Sequence, residues 1–206
     1  MSAKTELGRI ETISISKSEG KSKKLVEIPL LFYKQSIKLK LPDEYDSKID
    51  QFYDSLTAWV KQLEGTVGHI KKIYVESITE TDEAAILELK KLTGKNERLL
   101  QIIGSFLKLG AKLEKTEDKD LLLEYLEWVN AANSPDALDI TFEYLLETKR
   151  ERTCFIVKRI EKTLLDQEIG VLFITFDLKE TIDYPNEIEI IRFTPPVVDD
   201  ILKFLK

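Results

Sequence analysis

Apolar positions along the chain follow three patterns. The stretch 170–176, GVLFITF, is apolar almost without interruption, as a strand covered on both faces is. The stretch 70–76, IKKIYVE, gathers β-branched and aromatic residues that run straight into a carboxylate. Segments 9–15 (RIETISI) and 186–193 (NEIEIIRF) instead alternate apolar and polar residues, the period of a half-buried strand. Two more strand-like runs, 24–34 and 35–42, follow the first of these. Residues 9–41 therefore read as antiparallel strands, with Pro29 placing the middle one at an edge or a bulge.

The rest of the chain steps by three and four. Ile49, Phe52, Tyr53, Leu56, Trp59, Val60 and Leu63 form one stripe of an amphipathic helix starting near Asp43. Ser77 and Thr79 each precede an acid by three residues, the spacing of a helix cap. They predict a helix with Ile86, Leu87, Leu89 and Leu92 on the core, closed by Gly94. A helix over 96–109 follows, then a short edge strand at 111–115 and a helix capped by Thr116. Ser134-Pro135-Asp136 is a strong start signal. It opens a long apolar pattern reaching Leu164 that predicts one long helix, with the charged stretch ETKRER (147–152) as the place for a bend or break. Pro195-Pro196 opens a last helix.

Helices separate 70–76 from 170–176, as a parallel crossover requires. The predicted class is α/β: a single domain over 1–206, with antiparallel strands at 9–41 and an α/β body at 43–206. Its sheet is mixed, with 70–76 and 170–176 as parallel core strands.

Composition narrows the function. The chain of 206 residues carries a formal charge of −6 and a pI near 5.1. That removes the electrostatic term behind non-specific nucleic-acid binding, so no nucleic-acid partner is expected. The basic tract KSEGKSKK (17–24) reads as a solvated hairpin loop. No run has the roughly 20 apolar residues of a membrane helix, and the start of the chain lacks a secretory apolar region. One cysteine, Cys154, excludes an internal disulfide. These features predict a cytoplasmic protein with no membrane partner. Abundant Lys, Glu and Ile lean towards a thermophilic source.

In parallel sheets, ligands sit beyond the carboxyl ends of the strands. Glu76 and Asp177 directly follow the two core strands, so both are candidate site acids. Arg150 and Arg152 interrupt a core-facing helix. Positions two apart on a helix diverge, so at most one of them turns inward to hold Glu76 or an anionic ligand; the alternative is a solvated turn with i,i+4 ion pairs. The acids at 116–120 suit a helix start on dipole grounds alone. His69, the only histidine, begins its strand at the opposite end and reads as structural, and Cys154 reads as a packing residue. LTGKN (92–96) lacks the glycines of a phosphate loop. No cofactor and no metal site is assigned.

An early strand ending in Glu76, an Arg-acid-Arg element at 150–152 and a strand ending ITFD (174–177) together resemble the superfamily of TraB-type proteins and erythromycin esterases. The resemblance covers roughly 70–192. Those proteins end the later strand in Gly-x-x-His; here Thr175 stands at the glycine and Asp177 at or near the histidine. The resemblance implies a divergent or inactive member of an enzyme-like family, without the usual catalytic or metal-linked histidine.

The leading expectation is a protein with a small polar or anionic ligand near Glu76, Arg152 and Asp177. Two alternatives stand beside it. One is an interaction module acting through helical surfaces or a sheet edge, with self-association into a homo-oligomer left open. The other is a hydrolase using only carboxylates to hold a hard metal ion.

Overall fold

The computed structural model describes residues 10–13, 23–36, 40–66, 68–94, 96–134 and 138–205. Its frame is set by β5 (Ile169–Ile174), buried at every position. Parallel neighbours flank it, β3 (Ile70–Val75) on one side and β2 (Lys23–Pro29) on the other. A strand with both edges paired and both faces covered takes a polar side chain only where buried partners meet it, and β5 carries none, which is why its sequence is uniformly apolar. Gly170 belongs to the same packing: a Cβ there would lie 3.1 Å from Leu25 and Tyr74 and 3.3 Å from Leu164.

Two short edges and one half-exposed strand complete a six-stranded mixed sheet. β4 (Lys112–Leu113) pairs parallel with β3, and β6 (Ile188–Phe193) pairs parallel with β2. β1 (Ile10–Ile13) runs antiparallel on the far side of β6. The order is β1-β6-β2-β5-β3-β4. The α/β class, the mixed sheet and the parallel adjacency of 70–76 and 170–176 are as expected. The partners of the first strands differ: β1 pairs with β6, and β2 is an interior parallel strand. Pro29 fits there because it is the last residue of its strand, and Leu30 N resumes bonding at Ile174 O, 2.8 Å away.

The expected strand at 35–42 is absent among its described residues. Residues 34–36 form a 3-10 turn. Lys34 N donates to Asp46 Oδ1 (2.8 Å) and Tyr33 Oη to Asp50 Oδ1 (2.7 Å), so contacts to the next helix take the place of a strand partner. Residues 37–39 and the basic residues at 17–21 lie outside the described residues; Lys23 and Lys24 open β2.

Helices α1 (Tyr45–Thr66), α2 (Asp82–Thr93), α3 (Glu97–Lys108) and α7 (Val197–Leu205) cover one face. They pack on Val26, Ile28, Ile73, Val75, Val171 and Phe173. α5 (Asp139–Thr163) and the single-turn α6 (Phe176–Lys179) cover the other face over Leu25, Tyr74, Leu172 and Ile190. α4 (Lys119–Ala132) lies against α5. α5 runs unbroken through 147–152; Pro135 and Asp136 of its expected start signal lie outside the described residues.

Two expected caps are replaced. α2 starts at Asp82, behind Thr81, because Glu88 reaches back to Thr79 N (2.7 Å), Thr79 Oγ1 (2.7 Å) and Glu80 N (3.0 Å) and holds 79–80 in an open loop. Thr116 does not cap α4; Asp118 does, accepting from Asp120 N at 3.0 Å and Leu121 N at 3.4 Å. Cys154 is exposed on α5, not packed, because it lies on the side of the helix away from Ile156 and Ile160.

Candidate functional site

Because β3, β4 and β5 are parallel, the residues that leave them meet along one edge. The chain leaving β3 turns to the α2 face. The chain leaving β5 crosses to the opposite face, where Leu178, Ile182 and Tyr184 pack. Connections that part in this way open a crevice at the strand ends.

Glu76 directly follows β3 at this end of the sheet and is buried. Its N–H donates to Phe173 O (2.9 Å) and extends the ladder by one residue. Its Oε2 accepts from Thr175 N at 2.7 Å, so the carboxylate bridges the ends of both core strands. Next to it, Ser77 has φ +70, a left-handed conformation that costs a non-glycine residue energy. That twist aims Ser77 N at Glu117 Oε1, 2.8 Å away.

Glu117 was not singled out in the sequence, yet it is the fully buried acid of the cluster. The chain after β4 is folded over the end of β3: Thr116 N and Glu117 N both donate to Ile78 O at 2.9 Å, and Thr116 Oγ1 accepts from Val75 N at 3.0 Å. Glu117 then meets Arg152 in a two-pronged pair, Nε to Oε2 at 2.6 Å and Nη2 to Oε1 at 2.7 Å. Arg152 Nη2 also lies 3.7 Å from Glu76 Oε1. The argument that found Glu76, an acid just beyond a strand end, would pick Glu114 after β4; Glu117 lies four residues past that strand and gave no such signal.

Arg152 is the arginine that turns inward, with its main partner Glu117 and Glu76 second. Arg150 is exposed on the outer side of α5 and stands apart from the cluster. Burial works against the Arg152 charge, but the hydrogen bonds and charge of Glu117, joined by Glu76, outweigh it and raise its pKa above the ordinary value. The Tyr125 ring covers the guanidinium, 4.2 Å from ring centre to Cζ. Its hydroxyl donates to Asp177 Oδ2 at 3.2 Å, and Lys149 Nζ donates to Asp177 Oδ1 at 2.6 Å. Asp177 thus joins the cluster through Tyr125, at its solvent side. Burial, followed by the Asp177 charge, pushes the Tyr125 hydroxyl up to about 12, so it stays a donor.

One arginine serving two buried acids leaves an excess negative charge. Burial raises the Glu76 pKa to about 7 and the Glu117 charge adds to this; the Thr175 N–H and Arg152 oppose it. Glu76 therefore exchanges a proton near neutrality. No group of three or more metal-ligating side chains occurs among the described residues. His69 is exposed just before β3, at the opposite edge of the sheet.

Beside Thr175 lies a groove of about 370 Å³, with Leu30, Phe32, Tyr45, Phe176, Leu202 and Leu205 along it and Asp177 and Glu180 at its rim. A second buried carboxylate was also missed in the sequence. Glu27, on β2, accepts from Tyr184 Oη (2.9 Å) and Arg192 Nε (3.1 Å), with Lys179 Nζ at 3.1 Å.

No family model matches the chain, and no curated protein or solved structure does either. Among the described residues, no helix is long and apolar enough to cross a membrane.

Proposed function

We propose that this chain binds a small polar ligand in the crevice at the carboxyl ends of β2, β5 and β3, with Glu76 as the group that exchanges a proton with it. The observation that carries the reading is the Glu76 carboxylate held on Thr175 N at 2.7 Å beside a groove that Thr175 itself lines. A titrating acid, a strand-end crevice and a mostly apolar groove together suit a ligand with an apolar body and a polar head. A polar head fits better than an anionic one, since Glu117 occupies the Arg152 fork and Asp177 and Glu180 rim the groove.

The reading is compatible with descent from a TraB-like enzyme, with Glu76, Arg152 and the chain after the later strand gathered at one edge. Asp177, tied to Lys149 and Tyr125, then stands where that family has its histidine, and no hydrolytic step is assigned to it.

A thermal-shift screen of metabolites on the wild type, Glu76→Gln and Asp177→Asn tests the proposal. Hits should stabilise the wild type, with shifts that change between pH 6 and 8 and are reduced in Glu76→Gln. Hits that stabilise all three proteins equally at both pH values would place binding elsewhere.

A further inference from the structure

The apolar surface of the α4–α5 hairpin is larger than its own packing uses. α4 has no buried residue, although it carries Leu121, Leu122, Leu123 and Leu126. On α5, Thr153, Ile156 and Ile160 are buried against the sheet side. Counting back by three and four along the same face gives Lys149, Leu146 and Phe142, with Leu138 just before the helix, while Thr141 and Thr148 on the neighbouring stripe are buried. Leu138, Phe142 and Leu146 are 67%, 46% and 53% exposed. The core-facing stripe thus continues past the point where the sheet stops. On α4, Leu123 and Leu126 are also 52% and 47% exposed. So much exposed apolar side chain on one hairpin of a charged surface marks a contact site.

The charge around the patch restricts what can cover it. Asp120, Glu124, Glu127, Asp139, Glu143 and Glu147 are exposed on the same two helices, against Lys119 alone among basic residues over 119–147; Lys149, paired with Asp177, and Arg150 follow at the inner end. A second copy docked hairpin to hairpin would set these acids against one another. An anionic bilayer would repel them too. A helix with an apolar stripe and basic flanks satisfies both features. The open part of α5 before Lys149 spans about three turns, room for anchors at i, i+4 and i+7 on such a helix. The Trp128–Tyr144 stack, with ring centres 4.8 Å apart, braces the two helices of the hairpin as a ready-made platform.

From these observations we infer that the distal α4–α5 hairpin is a docking face for a basic amphipathic helix of a partner protein. The inference is independent of the ligand reading, since neither Glu76 nor the groove contributes to it.

The test uses the full chain and a fluorescently labelled synthetic helix of about 18 residues, with Leu on one stripe and Lys elsewhere. Its counterpart with Glu in place of Lys is the control. Anisotropy should show saturable binding of the Lys peptide and none of the Glu peptide. Substituting Phe142→Ser and Leu146→Ser together should weaken it by roughly tenfold or more at an unchanged melting temperature. Glu143→Gln with Glu147→Gln should flatten the salt dependence. No binding, or equal binding by the Phe142→Ser, Leu146→Ser protein, overturns the inference. So does a wild-type dimer in sedimentation velocity that this double variant converts to monomer, which assigns the face to a second copy. Flotation of the wild type but not the double variant with phosphatidylcholine vesicles overturns it in favour of a lipid surface.

Discussion

Two buried carboxylates on neighbouring parts of one sheet are treated in opposite ways. Glu27, 1% exposed in the middle of β2, has two cations and a tyrosine hydroxyl to itself. Glu76, 8% exposed at the end of β3, shares one arginine with Glu117, which holds that arginine more closely. The first cluster has more positive charge than it needs, and the second more negative. Burial is the largest cause of the raised Glu76 pKa, and the Glu117 charge adds to it. The two clusters differ in the number of bases facing their acids. The side chain of Lys179 is also 19% exposed and that of Arg192 29%, so solvent can share their charge. The Arg152 side chain is 2% exposed and has no such outlet.

The largest expected effect comes from removing the shared base. Arg152→Met leaves Glu117 and Glu76 buried without a cation, and should cost about 3–5 kcal/mol in urea melts at pH 7. A cost under about 1 kcal/mol would mean the cluster is solvated and the contrast with Glu27 is lost.

The carboxylates themselves should respond with opposite signs. Glu27→Gln strands two cations and should destabilise by about 1–3 kcal/mol. Glu76→Gln removes the excess negative charge and should be near neutral below about pH 5 and increasingly stabilising from there to pH 8. The same logic fixes the pH dependence. Glu76 has a folded pKa of about 7 against an ordinary value of 4.5. The folded state holds a proton that the unfolded chain releases, so this contribution is complete below the unfolded value and is lost as pH rises through the folded one. Wild-type stability should fall between about pH 5 and pH 8 by up to about 3 kcal/mol. Glu76→Gln should remove that slope, and Glu27→Gln should keep it.

Smaller effects sharpen the picture. Arg192→Met leaves Glu27 with Lys179 and Tyr184 and should cost about 1 kcal/mol. Tyr125→Phe keeps the ring over Arg152 and loses only the bond to Asp177, whose side chain is 61% exposed. Its cost should stay under about 1 kcal/mol. A larger loss would show that Asp177 acts on the buried cluster through Tyr125.

Much of this architecture was legible because the apolar runs report burial directly. GVLFITF and IKKIYV can be apolar in that manner only as covered strands, and their parallel pairing placed Glu76 and Asp177 on one edge. What escaped detection depends on partners distant in sequence. Glu27 alternates with Val26 and Ile28 like a solvent-facing residue, and its burial is set by Tyr184 and Arg192, more than 150 residues later. Glu117 looks like a first-turn acid behind a Thr116 cap, whereas α4 starts behind Asp118 and leaves Glu117 in the loop before it. Pro29 suggested an edge strand, since proline blocks a ladder bond anywhere except where the strand ends. The alternation at 35–42 reads as a strand, yet among its described residues Leu41 alone is buried and none is in a strand.

The length of α5 has a mechanical meaning. Its carboxyl-terminal half is clamped to the sheet by Ile156 and Ile160, and its amino-terminal half touches little besides α4. Amide hydrogens of this one continuous helix should then exchange in two classes, slowly over 153–163 and far faster over 140–147. Arg152 is at the junction. Any force applied to the hairpin would pivot about the residue that holds Glu117 and touches Glu76, so a lever arm ends on the buried charges while the sheet beneath stays still.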